Sequence, residues 1–290
     1  MVEPDLSFHG DQEVGPGLVD LAVNVRLRTP PPWLAEVLRE SIADLGAYPD
    51  PTSATTALAA HHRVDPAMVL PTAGGAEAFT LVARAGLSER PHIIHPQFTE
   101  PEAALLAAGL RPERLVLPAG SGFALDPALL PPSADLVVVG NPTNPTGVLH
   151  PAATLRRLVR PDRVTVVDEA FMDAVPGEPE TLIGPDMAGV LVLRSLTKTW
   201  GLAGLRAGYV VGDPTLIDRL RRQQPPWAVS SPALAAMVAI CSGRGATEAL
   251  AAARKYAADR AHLVTGLARL GLRVGSPQTP FVLVRAGAGV

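Results

Sequence analysis

Short apolar segments of strand length alternate along the chain with alanine-rich segments that are typical of helices. Glycine and proline bound several of these segments, as expected where regular elements end. The pattern predicts strands at 92–95, 114–117, 135–139, 164–169, 189–194 and 205–212, and helices at 32–46, 53–63, 101–108 and after Gly75. Such alternation predicts an α/β fold with a mainly parallel sheet sandwiched by helices.

Composition narrows the functional classes. A chain of 290 residues can bury a large core and is expected to form one large and one small domain. A net charge of −3 gives no broad attraction for nucleic acid or anionic lipid. A single cysteine, Cys241, excludes an intrachain disulfide and favours a reducing cytoplasm. Without a long apolar span or a signal pattern, the protein is expected to be soluble.

Lys198 is the strongest chemical signal in the sequence. It is one of only two lysines among 25 basic residues, and it follows a predicted buried strand in a connection rich in hydroxyls and glycines. A desolvated amine can attack a carbonyl, whereas the guanidinium of arginine cannot. Active-site groups of open α/β sheets gather at strand ends. Lys198 is therefore a candidate nucleophile.

Three other segments contain polar or small residues next to predicted elements. Gly75 and Ala76 precede a helix, whose N-terminal amides could bind an anion. Asn144 begins the second of two Asn-Pro steps after one strand, and Asp168 ends the next strand. Taken alone, each signal has an ordinary alternative: a structural turn for the first two segments and a solvated acid or helix cap for the third.

In this order the four segments resemble fold-type I pyridoxal-phosphate enzymes, in the branch of histidinol-phosphate aminotransferases and threonine-phosphate decarboxylases. The resemblance spans residues 1 to about 285. It implies the fold of PLP-dependent transferases of type I and pyridoxal 5'-phosphate as the cofactor. It also implies a large cofactor domain at 48–224, with 1–47 and 225–290 forming a small α+β domain that is shortened at its C-terminus.

The resemblance assigns roles to individual residues. Lys198 would hold the cofactor covalently and move protons, and Asp168 would pair with its ring nitrogen. Asn144 would donate to the cofactor's phenolic oxygen and border the substrate. Further cofactor contacts are implied for Gly75, Ala76, Phe98, Phe171, Ser195, Thr197, Arg206 and Tyr48. Because the family's tyrosine at the position of Tyr48 reaches the neighbouring subunit's cofactor, a homodimer is expected.

The expected substrate is a phosphorylated amino acid or amino alcohol. His9 resembles the substrate-phosphate histidine of the decarboxylases, and Arg26 or Arg28 could assist it. The alternative is that these residues are surface charges on an N-terminal arm.

The choice of reaction depends on smaller details. Phe171 replaces a tyrosine that is usual in the aminotransferases, and the segments around Phe98 and His9 resemble those of the decarboxylases. These details favour a threonine-phosphate decarboxylase of cobalamin synthesis, with a histidinol-phosphate or related aminotransferase as the alternative.

A second alternative comes from the C-terminus. The chain ends at Val290, before the position where the family supplies an arginine that holds the substrate carboxylate, and Arg285 is too early to replace it. A truncated homologue that binds pyridoxal phosphate with little activity therefore stays open.

Overall fold

A seven-stranded sheet forms the centre of the computed structural model, which describes residues 5–6, 8–26 and 30–285. The strands are β1 Val69–Thr72, β2 Pro91–His95, β3 Glu113–Val116, β4 Leu136–Gly140, β5 Val164–Asp168, β6 Val190–Ser195 and β7 Gly208–Gly212. In spatial order they are β1, β7, β6, β5, β4, β2 and β3; β7 is antiparallel to both its neighbours, and the other pairs are parallel. The prediction of a mainly parallel sheet is therefore confirmed.

Strand β1 is absent from the sequence prediction for a physical reason. It has only four residues, and Pro71 within it argues against a central strand. In the fold, β1 lies at the sheet edge and pairs only with β7, where a residue without an amide hydrogen is tolerated.

Helices cover both faces of the sheet. The helices are α1 Pro32–Glu40, α2 Thr52–His62, α3 Gly74–Arg84, α4 Glu100–Ala107, α5 Ala152–Arg156, α6 Pro214–Arg221, α7 Ser231–Ile240 and α8 Gly243–Arg269. Leu34 of α1, Leu58 of α2 and Ala236 of α7 belong to the core on one face. Phe79 of α3 and Ile217 of α6 belong to the core on the other.

The chain ends contribute fewer strands than the centre. A two-stranded antiparallel ribbon pairs β8, Arg273–Val274, with β9, Val284–Arg285. All seven strands of the large sheet fall within 48–224. The division into two domains stays a prediction. Within the described part of the chain, no helix combines the length and apolarity that a membrane span needs.

A buried ion cluster lies beside the end of the central strands. Arg194 of β6 is 5% exposed, and its Nη2 lies 3.0 Å from Glu169 and 2.5 Å from Glu178. Thr181 also donates its hydroxyl to Glu169, at 2.7 Å. Removing one member of such a cluster leaves the other charges buried and uncompensated.

We therefore expect Arg194→Met to lower the free energy of unfolding by about 3–5 kcal/mol, because Glu169 loses its only arginine in the described cluster. Arg222→Met is the matched control, since Arg222 pairs with Asp218 on the exposed face of α6. That change should cost less than about 1 kcal/mol. Urea titration measures both, and equal losses would contradict a special role for burial.

Candidate active site

The functional candidates follow three adjacent parallel strands. Gly140 at the end of β4 pairs with Asp168 of β5, and Asp168 pairs with Leu193 of β6. The carboxyl ends of these strands are thus level with one another. Lys198 follows β6, and its amine interacts electrostatically with Asp168. The structure therefore brings these two predicted residues together.

Asn144 occupies a turn that another asparagine holds in place. The side chain of Asn141 is fully buried, accepts the His150 amide hydrogen at 2.7 Å and donates to the His150 carbonyl at 3.2 Å. Thr143 closes the turn by donating to the Gly140 carbonyl at 2.7 Å. Asn144 itself is half-buried just beyond the end of β4. Sequence reasoning missed Asn141, although asparagine commonly stabilises turns through such bonds.

An open cup lies at the N-terminus of α3. Gly74 has a φ of +81°, and a Cβ there would lie 2.7 Å from Nη2 of Arg206. Around Gly75 the same construction meets no atom within 4 Å. Helix amides and a guanidinium thus border free space, which suits a phosphate dianion. Gly75 and Ala76 were the residues predicted to bind the phosphate, but Gly74 is the residue whose position requires glycine.

The hydroxyl side of this cup comes from β6. Ser195 pairs with Gly208 of β7, and a Cβ on Gly208 would lie 3.0 Å from the Gly74 backbone. Ser195 is therefore close to the start of α3. The amide of Thr197 donates to the Ser195 hydroxyl at 3.2 Å, which keeps both hydroxyl residues on one turn before Lys198.

Lys198 has the environment of a reactive amine. Burial lowers its pKa, an effect that the Asp168 carboxylate opposes and the Arg206 guanidinium reinforces. Asp11, from the N-terminal arm, also opposes the shift and was not expected from the sequence. The Lys198 carbonyl accepts the Arg26 amide hydrogen at 3.1 Å, so the N-terminal arm contacts the reactive turn directly.

Asp168 is suited to pair with a positive charge. Burial raises the pKa of its carboxyl to about 6, against a hydrogen bond from the Ala170 amide and the attraction of Lys198. A protonated pyridine nitrogen beside it would remove this penalty. Together with the open cup, the buried acid shows that these residues fit pyridoxal phosphate.

Two pairs of rings include predicted site residues. The Lys198 amine lies 5.4 Å from the Phe171 ring centroid, and Phe171 packs edge-on against Phe281 at 4.9 Å. In the second pair, the half-buried Phe98 has the His9 ring at 5.8 Å. The two predicted residues Phe98 and His9 are therefore neighbours.

Other predicted residues lie apart from Lys198 or have other partners. Tyr48 is 75% exposed and stacks on Trp227 at 4.2 Å, beside a surface cavity whose lining does not include Lys198. The Arg26 side chain pairs with Glu248 of α8 at 2.6 Å. Arg28 lies outside the described residues.

Comparison with known proteins finds one matching family model. The model of aminotransferase class I and II matches residues 16–290. A histidinol-phosphate aminotransferase of Mycobacterium tuberculosis is 47% identical over 279 residues, which cover 95% of this chain and 76% of that protein. A threonine-phosphate decarboxylase of Salmonella typhimurium is 33% identical over 237 residues, covering 77% of this chain and 65% of that protein.

Solved structures confirm the predicted fold. The histidinol-phosphate aminotransferase of Clostridium acetobutylicum superposes with a TM-score of 0.83 at 23% identity, covering 93% of this chain and 84% of that one. The L-threonine-O-3-phosphate decarboxylase of Porphyromonas gingivalis gives 0.80 at 26% identity, with coverages of 92% and 82%.

The raised pKa of Asp168 leads to a prediction about the stability of the cofactor-free protein. The folded state holds this proton more tightly than the unfolded chain, so ionisation destabilises the cofactor-free protein as the pH rises from about 4 to 6. Asp168→Asn should therefore stabilise the cofactor-free protein by up to about 3 kcal/mol at pH 7.5, and by much less at pH 4. Urea titrations at both pH values measure the difference. The exposed Asp186→Asn is the control, and an equal gain from it would contradict the cause.

Proposed function

The chain belongs to the class I and II aminotransferase family, and we propose that it transfers the amino group of a phosphorylated amino compound, with histidinol phosphate as the first candidate. Enzymes of this family depend on pyridoxal phosphate, so the predicted enzyme class and cofactor are confirmed. The observation on which the proposal depends is the meeting of the Lys198 amine and the buried Asp168 carboxylate at one edge of the sheet.

The comparisons reverse the preference between the two reactions. The sequence details favoured a threonine-phosphate decarboxylase, yet identity is 47% to a histidinol-phosphate aminotransferase and 33% to a decarboxylase. Decarboxylation stays the second candidate because Phe171 cannot supply the hydroxyl of the usual tyrosine, and because His9 lies beside Phe98. A role in cobalamin synthesis belongs to that candidate, and the low-activity homologue stays an open alternative.

The cofactor and Lys198 would have separate roles in the reaction. Pyridoxal phosphate, when bound, supplies an aldehyde that captures the substrate's amine and a conjugated ring that accepts electrons from it. Lys198 Nζ then moves the proton at the substrate's reacting carbon, because burial lowers its pKa toward the working pH. Asp168 holds a proton at the ring nitrogen, which strengthens the ring as an electron acceptor.

The remaining predicted contacts orient the cofactor. The amides of Gly75 and Ala76 and the Arg206 guanidinium would bind its phosphate, and the Ser195 and Thr197 hydroxyls would complete the shell. Asn144 would donate to its phenolic oxygen, since Phe171 has no group to do so. Phe98 would stack on one ring face, and Phe171, packed beside the Lys198 amine, would exclude water from the other side.

His9 is our candidate for the substrate's phosphate. It lies at the Phe98 ring, on an N-terminal arm whose residue Asp11 is close enough to influence Lys198. Arg26 is a weaker candidate, because its guanidinium already pairs with Glu248. Its backbone bond to the Lys198 carbonyl gives it a place at the site that needs no side chain.

We also propose that the active form is a homodimer in the cytoplasm. Tyr48 and Trp227 form a stacked pair in which each ring is largely exposed, at 75% and 59%. Because Tyr48 lies in a cavity separate from Lys198, its hydroxyl would serve the cofactor phosphate of the partner subunit.

The reaction can be identified from its products. With histidinol phosphate and 2-oxoglutarate, the loaded enzyme should form glutamate, whereas threonine phosphate should release little carbon dioxide. Lys198→Arg is the matched control and should abolish turnover, because guanidinium does not give up its proton. Carbon dioxide from threonine phosphate without glutamate from histidinol phosphate would select the decarboxylase.

Shared sites can be tested by subunit complementation. Lys198→Ala and Tyr48→Ala should each be nearly inactive alone. When they are co-expressed, half of the dimers are mixed and each has one intact site, so activity should return to about a quarter of the wild-type value. Activity no higher than that of the separate variants would show that Tyr48 does not act across the dimer.

A further inference from the structure

A carboxylate binds the residue proposed for the substrate's phosphate. Glu100 Oε1 lies 2.8 Å from Nε2 of His9, and both side chains are about one third exposed, at 30% and 35%. The His9 ring is tilted by 34° against Phe98 at a centroid distance of 5.8 Å. A ring contact on one side and a charged hydrogen bond on the other thus hold His9 in one orientation.

The chain places Glu100 at this point by helix geometry. Glu100 is the first residue of α4, where the partial positive charge of the helix N-terminus favours an acid. The other acid of this turn, Glu102, is already engaged by His95 and Arg114 at 2.9 and 2.6 Å. Glu100 is therefore the acid of α4 that faces the N-terminal arm.

A second bond fixes the arm to the same segment. The hydroxyl of Thr99 donates to the Leu6 carbonyl at 3.2 Å. The arm is thus attached to the start of α4 on both sides of Phe8. These two contacts limit the rotation of the His9 ring.

We propose that Glu100 is a positioning residue for substrate phosphate: by binding Nε2 of His9 it fixes the orientation in which the His9 ring meets that phosphate. This rests on the proposed function, in which His9 binds the phosphate. Glu100 therefore supplies selectivity for phosphorylated substrates without contacting them.

Steady-state kinetics of the cofactor-loaded enzyme test the proposal with histidinol phosphate and with histidinol, which lacks the phosphate. Glu100→Gln should raise KM for histidinol phosphate by about fivefold to tenfold, with kcat changed less than about twofold and histidinol unaffected. His9→Gln should raise that KM at least as much. The double variant should be no worse than His9→Gln, because Glu100 acts through His9.

A matched control is available at another histidine. Glu113 lies 3.5 Å from Nε2 of His92 on β3 and β2, so Glu113→Gln removes the charge of another glutamate beside a histidine, in a weaker contact away from the site. It should leave both substrates unchanged. If threonine phosphate proves to be the substrate, the same variants are compared on threonine phosphate and threonine.

The possible outcomes separate the inference from the proposed function. An unchanged or lower KM in Glu100→Gln, equal losses on both substrates, or additive losses in the double variant would overturn the role of Glu100 while His9 keeps its own. Loss in neither His9→Gln nor Glu100→Gln would overturn the His9 subsite and the inference together. A wild-type enzyme that turns over neither phosphorylated substrate would overturn the proposed function itself, and with it the inference.

Discussion

The level ends of β4, β5 and β6 are the constraint on which the site depends. Backbone pairing fixes Gly140, Asp168 and Leu193 in one row, so the residues that follow each strand emerge at the same edge. The register permits little slippage, because a shift of one residue would turn Asp168 to the opposite face of the sheet, which is covered by apolar side chains. The separation of the acid from the reactive amine is thus determined by the sheet.

The same edge combines opposite electrostatic demands. Asp168 is buried at a cost to the cofactor-free protein, and its pKa rises to about 6. Lys198 is half-buried, and its pKa falls because the amine is removed from water. Burial thus disfavours the charged form of both groups, and perturbed pKa values of this kind are common at functional sites. The apolar cores on both faces of the sheet stabilise the fold and offset the cost of burying these two groups.

Much of this arrangement could be predicted from the sequence, because Lys198, Asp168 and Asn144 each follow a strongly apolar strand. The requirement for glycine at position 74 could not be predicted, since it arises from the close approach of Arg206, which is distant in sequence. The Glu100–His9 contact joins residues 91 positions apart and leaves no local pattern. Strand β1 was not predicted, because a proline argues against a central strand, whereas the edge of a sheet tolerates it.

The turn around Asn144 is also joined to the far end of the chain. The Gly147 carbonyl accepts the Gln278 amide hydrogen at 2.7 Å, and a Cβ on Gly147 would lie 2.6 Å from Pro277. Contacts this close couple the two segments into one cooperative unit of local opening. Fraying of the final ribbon would therefore loosen the turn that holds Asn144, the residue proposed to donate to the cofactor's phenolic oxygen.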